Sequence, residues 1–224
     1  EIYTLSLHDA LPIWSAHTIA LLLELTNHVG LHNDSVHHDE WTSDKGFCYT
    51  KQSMSLLTGK TLGIIGYGNI GRRVARIGAA MGMDIQVYRR HPKTALQADV
   101  VSLHIPAAPE TIRFINTDRL LQMKHGAMLI NTARGTLVDE QAVAAALDNG
   151  TLAGYATDVL SQEPPAPDHP LIHHPKAIIT PHNAWCPLET RALICDTCAD
   201  NLQSWMDGGT LNRIDRRPDR KSVV

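Results

Sequence analysis

From Thr61 onward the chain alternates short apolar, β-branched runs with longer segments whose apolar positions recur at helical spacing. The short runs predict strands at Thr61 to Ile65, Ile85 to Tyr88, Val100 to His104, Ala127 to Asn131, Gly154 to Thr157 and Ala177 to Thr180. Several are apolar at consecutive positions, as expected of strands covered on both faces. Such strands, separated by helices, predict an α/β fold with a doubly wound parallel sheet. Before Thr61 the pattern changes. Ile19, Leu22, Leu23 and Leu25 form one stripe of a helix from Ser15 to Val29, with Ser15 as its N-cap. Gly30 to Gly59 is polar, rich in His and Asp, and predicts a surface connection. A last helix, Pro187 to Met206, is expected to stop at Gly208 and Gly209.

The stretch IIGYGNIG sits between a predicted strand and a predicted helix, a Rossmann-like setting for a dinucleotide. Gly66 permits the tight turn, Gly68 lets the backbone approach a pyrophosphate, and Gly71 allows close helix packing. The N–H groups that open the helix attract the anion. An acid is expected about 20 residues on, at the end of the second strand, to bind the adenosine ribose hydroxyls. Arg89 stands there instead, followed by Arg90. A guanidinium complements a 2′-phosphate, so these two residues favour NADP over NAD as the bound cofactor.

Composition narrows the class. The chain has 224 residues, 43% of them hydrophobic and 19% charged, enough for a globular core. Its formal net charge of -3 offers no broad attraction to nucleic acid or anionic lipid, and its apolar runs are far shorter than a membrane span. Four cysteines without a secretory leader fit a reducing cytoplasm. Cys195 and Cys198 form a lone C-x-x-C without the further ligands of a zinc site, and His37 and His38 lack ordered ligand spacing, so no metal is expected. Residues 1–13 and 219–224 resemble translated sequencing-adapter sequence and are expected to lie outside the fold.

Three further stretches carry chemistry: NTARGTLVDE from Asn131, DVLSQEPP from Asp158, and TPHNAW from Thr180. With the glycine turn, in this order, they resemble the D-2-hydroxyacid dehydrogenase family, especially its glycerate dehydrogenase and hydroxypyruvate reductase-like members. The resemblance implies that Arg134 binds the substrate carboxylate and keto oxygen, that Glu163 orients His182, and that His182 is the proton donor. It also implies that Asp158 holds the nicotinamide carboxamide and that Asn69 and Ile70 donate to the pyrophosphate. Ile105, Pro106, Thr111, Thr132 and Ala133 match positions that line the nucleotide, and Trp185 is a candidate wall of the substrate pocket. The chemistry asks for these types. Reduction of a 2-keto acid places negative charge on oxygen, which needs a proton donor active near neutral pH and a fixed cation.

The same resemblance sets the organisation. Residues 14–186 are expected to form the nucleotide-binding domain, and residues 187–218 a helix and tail returning to a substrate domain absent from this chain. The stretch from Arg90 to Asp99 is shorter than in relatives, which would leave Ile85 to Tyr88 nearer the sheet edge. The implied partner is a small 2-keto or 2-hydroxy acid such as hydroxypyruvate, glyoxylate or glycerate, and the implied assembly a homodimer. Two other classes stay open: a nucleotide-sensing, corepressor-like module without turnover, and a methyltransferase with a similar glycine loop. Retention of Arg134, Glu163 and His182 favours the enzyme.

Overall fold

The fold is described by a computed structural model covering residues 11–42 and 46–212. The expected adapter-like tail 219–224, the residues from Arg213 onward and those up to Ala10 lie outside the described residues. The chain enters through helices α1 (Leu11–Asn27) and α2 (Val29–His37), then strand β1 (Thr61–Ile65), α3 (Asn69–Ala80) and β2 (Asp84–Val87). It continues through α4 (Pro92–Leu96), β3 (Val100–Leu103), α5 (Thr117–Leu120), β4 (Ala127–Asn131) and α6 (Glu140–Asp148). It ends with β5 (Leu152–Thr157), β6 (Ala177–Ile179) and α7 (Leu188–Met206).

All six strands join one parallel sheet in the order β2-β1-β3-β4-β5-β6. The predicted doubly wound sheet is therefore present, and alternation along each strand assigns its residues to two cores. Leu62, Ile64, Val100, Ile130 and Ala156 pack with Leu22 and Leu25 of α1 and Val74 of α3 on one face. Ile65, Val101, Leu103, Leu129 and Tyr155 pack with Leu120, Val143 and Leu147 on the other. Covering both faces removes apolar area from water twice per strand, which is why these runs are apolar at consecutive positions.

Register aligns the site. Ile65 pairs with Leu103, Leu103 with Asn131, Asn131 with Thr157, and Thr157 with Ile179. The residues that follow each of these leave the carboxyl edge of the sheet at one level. The chain runs from β1 to β2 on one side and crosses to β3 on the other, so a crevice opens between the ends of β1 and β3, where open α/β sheets bind ligands. As expected from the shortened segment, β2 is the sheet edge, with Asp84 exposed and Ile85, Gln86 and Val87 half-buried.

The first helix departs from the sequence reading. It begins at Leu11 rather than Ser15, taking in residues expected to lie outside the fold, and Ser15 is a buried mid-helix residue rather than an N-cap. The turn before it is already helical, and Thr18 donates to the Trp14 carbonyl at 2.7 Å. The connection expected from Gly30 also contains α2. His28 breaks the path with a left-handed φ of 51°, and the Glu24 carboxylate then accepts the Gly30 N–H at 3.1 Å, capping the new helix. That cap comes from six residues upstream, beyond the usual N-cap spacing.

Candidate active site

The glycine turn makes the tight turn and the close helix packing expected of Gly66 and Gly71. Gly66 has φ 99°, and a Cβ there would sit 2.3 Å from the His104 carbonyl oxygen at the end of β3. Only a glycine lets the turn lie that close to the neighbouring strand. At Gly71 a Cβ would meet the Gly66 oxygen at 2.0 Å, so α3 rests directly on the turn. Gly68, the N-cap of α3, differs: a Cβ would have nothing within 4 Å. Its bare backbone faces open space at the start of a helix, beside Asn69 and Ile70. A nucleotide pyrophosphate fits this cradle, because the N–H groups that open a helix lack partners within it.

Arg89 and Arg90 follow β2 in an exposed turn. Among the described residues neither guanidinium has a hydrogen-bonded or ionic partner. Pro106 is exposed, whereas Ile105 is buried in the core and offers only its backbone to the crevice. Thr111 spends its hydroxyl on loop closure, donating to the Pro106 carbonyl and accepting the Ala108 N–H at 2.8 Å. Thr132 is buried, its hydroxyl 2.8 Å from that of Thr18 on α1. The hydroxyls of Thr111 and Thr132 are thus spent within the fold.

Two of the three catalytic candidates, Glu163 and His182, come together at the other end of the same edge. His182 Nδ1 lies 2.6 Å from Glu163 Oε2, and the other carboxylate oxygen, Oε1, accepts the Leu160 N–H at 2.8 Å. The carboxylate is therefore aimed, and the imidazole Nε2 is left as the outward ring nitrogen. A cavity of about 450 Å³ opens beside the pair, bounded also by Asp158, Pro165 and Ile172. Arg134 is exposed on the loop after β4, one N–H donating to the Ala133 carbonyl at 2.7 Å. The Asn131 side chain braces that loop, accepting the Ala133 N–H at 3.1 Å and donating to the Arg134 carbonyl at 2.9 Å.

His182 itself is left-handed, with φ 51°. The residues after it are tied to buried Asp158, whose Oδ1 accepts the Asn183 N–H and Oδ2 the Ala184 N–H, each at 3.0 Å. Thr180 donates to Oδ1 at 2.6 Å. Burial alone would raise the Asp158 pKa, but hydrogen bonds from His17, Thr180, Ala184 and Asn183 outweigh it and hold the carboxyl below its ordinary value. Oδ2 keeps acceptor capacity for a carboxamide. Trp185 is 40% exposed, and its indole N–H donates to the His182 carbonyl at 2.9 Å.

Sequence reasoning missed the residues that brace the site rather than perform chemistry: Asn131, Gly135, Thr180 and His17. Asn131, Gly135 and Thr180 lay inside the quoted motifs, so proximity to a reacting residue was their one signal. His17 had none.

A glycine cradle at a topological switch point, with an arginine and a Glu–His pair on adjacent strand ends, is the arrangement of a dinucleotide-binding domain. Residues 19–184 match the NAD binding domain of the D-isomer specific 2-hydroxyacid dehydrogenases, and the chain belongs to that family. It is 37% identical over 213 residues to a hydroxypyruvate reductase of Blautia hydrogenotrophica, covering 88% of this chain and 66% of the relative. It is 36% identical over 209 residues to a glycerate dehydrogenase of Methylorubrum extorquens, covering 89% of this chain and 67% of the relative. A crystal structure of a protein from Thermus thermophilus superimposes with a TM-score of 0.78 at 36% identity, covering 88% of this chain and 66% of that one. The chain thus spans about two thirds of the length of the relatives it matches. Among the described residues no helix is long and apolar enough to cross a membrane.

Proposed function

We propose that this chain is the nicotinamide-nucleotide-binding part of an oxidoreductase acting on a small 2-keto or 2-hydroxy acid, with hydroxypyruvate, glyoxylate or glycerate as substrates. The observation that carries this reading is the His182–Glu163 pair at 2.6 Å, at the sheet edge that holds the glycine cradle. The nicotinamide, when bound, supplies or accepts the hydride. The chain's own residues do the rest. His182 donates a proton from Nε2 to the forming alkoxide, while Glu163 holds Nδ1 and so fixes tautomer and orientation. Arg134 supplies a permanent positive charge for the carboxylate and the developing oxyanion.

Finer features belong to the same reading. Arg89 and Arg90, exposed and without a partner among the described residues, support a preference for NADP(H). Residues 14–186 form the nucleotide-binding unit, and residues 187–218 serve a substrate domain; the exposure of α7, in which Thr190 is the one buried residue, supports this. Exposed Leu31, Val36 and Trp41 on and beside α2 support a homodimer, and four free, exposed cysteines support a reducing, cytoplasmic setting. The test is His182→Ala in a chain completed with a substrate domain. Keto-acid reduction should fall by roughly two to four orders of magnitude, the scale of general acid catalysis, with cofactor affinity nearly unchanged. Undiminished turnover would remove His182 from the mechanism.

A further inference from the structure

We propose that His17, on α1 and outside every motif that carries the chemistry, is a positioning residue for His182. The proposal rests on reading His182 as the proton donor. His182 holds a left-handed backbone that L residues rarely adopt, and such a conformation persists where its surroundings hold it. Asp158 supplies much of that hold, through the N–H groups of Asn183 and Ala184. The orientation of its carboxylate, 2% exposed, depends on what else binds it.

Thr180 donates its one hydroxyl hydrogen to Asp158 Oδ1 at 2.6 Å. Its oxygen can then only accept, so His17 Nε2, 2.9 Å away, must be the donor. The same Nε2 lies 3.4 Å from Asp158 Oδ1. The result is a directed chain from the His17 N–H to the Thr180 hydroxyl to the Asp158 carboxylate, which grips the backbone following His182. Without His17, the Thr180 hydroxyl can turn toward the Thr157 carbonyl, 3.5 Å away. The carboxylate would lose the nearby His17 N–H and share its Thr180 donor with that carbonyl, and the His182 turn would loosen.

The experiment uses the whole chain, labelled with ¹⁵N. The Trp185 indole N–H donates to the His182 carbonyl, so its resonance, identified with Trp185→Phe, reports the His182 backbone. Amide exchange at Asn183 and Ala184 reports the Asp158 grip. His17→Ala should shift the indole resonance and speed exchange at those two amides about tenfold relative to sheet amides such as Ile64 and Leu129. His17→Gln, whose side-chain amide can still donate to Thr180, should restore both signals. An unchanged indole and unchanged amides in His17→Ala overturn the proposal. So does faster exchange spread evenly over the sheet, which marks general destabilisation, and so does failure of His17→Gln to restore. In a domain-completed chain, His17→Ala should lower kcat and His17→Gln should restore it. Intact turnover in His17→Ala overturns its part in catalysis. Intact turnover in His182→Ala instead overturns the proton-donor reading and leaves the spectroscopic test of the grip standing.

Discussion

Gly135→Ala tests how the site is assembled, because Gly135 joins the loop of Arg134 to the loop of Glu163. A Cβ on Gly135 would lie 1.9 Å from the Leu160 carbonyl carbon, 2.1 Å from its oxygen and 2.3 Å from the Ser161 nitrogen. All three are backbone atoms, so no side chain can swing aside. Recovering ordinary contact, from 1.9 Å to 3.4 Å, requires the two loops to part by about 1.5 Å. The Leu160–Ser161 peptide is tethered on both sides, through Leu160 N to Glu163 Oε1 at 2.8 Å and Ser161 N to Glu140 Oε1 at 2.7 Å. Overpacking of this kind costs about 1–3 kcal/mol, and loosening a hydrogen bond to a carboxylate adds about 1 kcal/mol or more. The variant should therefore lose roughly 2–4 kcal/mol in urea unfolding. In a chain completed for turnover, displacing Glu163 by about 1 Å should cost on the order of a hundredfold in kcat, since His182 is aimed by that carboxylate. A stability change within about 0.5 kcal/mol, together with unchanged kcat, would falsify the account of Gly135 as the joint between the two loops.

Gly68→Ala is the contrasting change: its methyl meets nothing within 4 Å and φ is -78°, so stability should hold while nucleotide affinity, measured by calorimetry, drops roughly tenfold or more as the methyl takes space the pyrophosphate needs. Tight binding by Gly68→Ala would show that the nucleotide does not approach there. Desolvation pushes His104, partly buried after β3, down to about 4. The unfolded ring takes up protons below about 6.5 and the native ring only below about 4, so stability should fall as pH drops from 6.5 to 4, by at most roughly 3 kcal/mol. His104→Gln should flatten that slope in urea unfolding; an unchanged slope would assign it elsewhere. Asp99 and Asp158, both held below the ordinary carboxylate value, act at lower pH, where their contributions are lost as they protonate. Arg89→Asp should move the ratio of NADP(H) to NAD(H) dissociation constants toward NAD(H) by about tenfold to a hundredfold at fixed salt, the scale of a charge-assisted contact. A preference for NAD(H) that the substitution does not move would make Arg89 a solvated loop residue.

The sequence by itself determined the elements whose causes are local. Consecutive apolar positions marked the strands, because parallel strands bury both faces. Gly66, Gly68 and Gly71 marked the cradle, because their spacing between a strand and a helix is a local signature, although the backbone that Gly66 clears, at His104, lies on another strand. Arg134, Glu163 and His182 were legible as chemical types in ordered motifs, and even the edge position of β2 followed from a short connection.

What only the tertiary structure decided rests on contacts between residues far apart in the chain. Thr132 is drawn to Thr18, and His17 to Thr180, by the packing of α1 over the sheet. Gly135 is required by Leu160, which local sequence around either residue does not disclose. The shared register of the strand ends brings these pairs to one level. Local pattern can set which residues become strands and turns. The register and crossover order of the sheet set which of those turns meet, and the chemistry of this site is built from turns that meet.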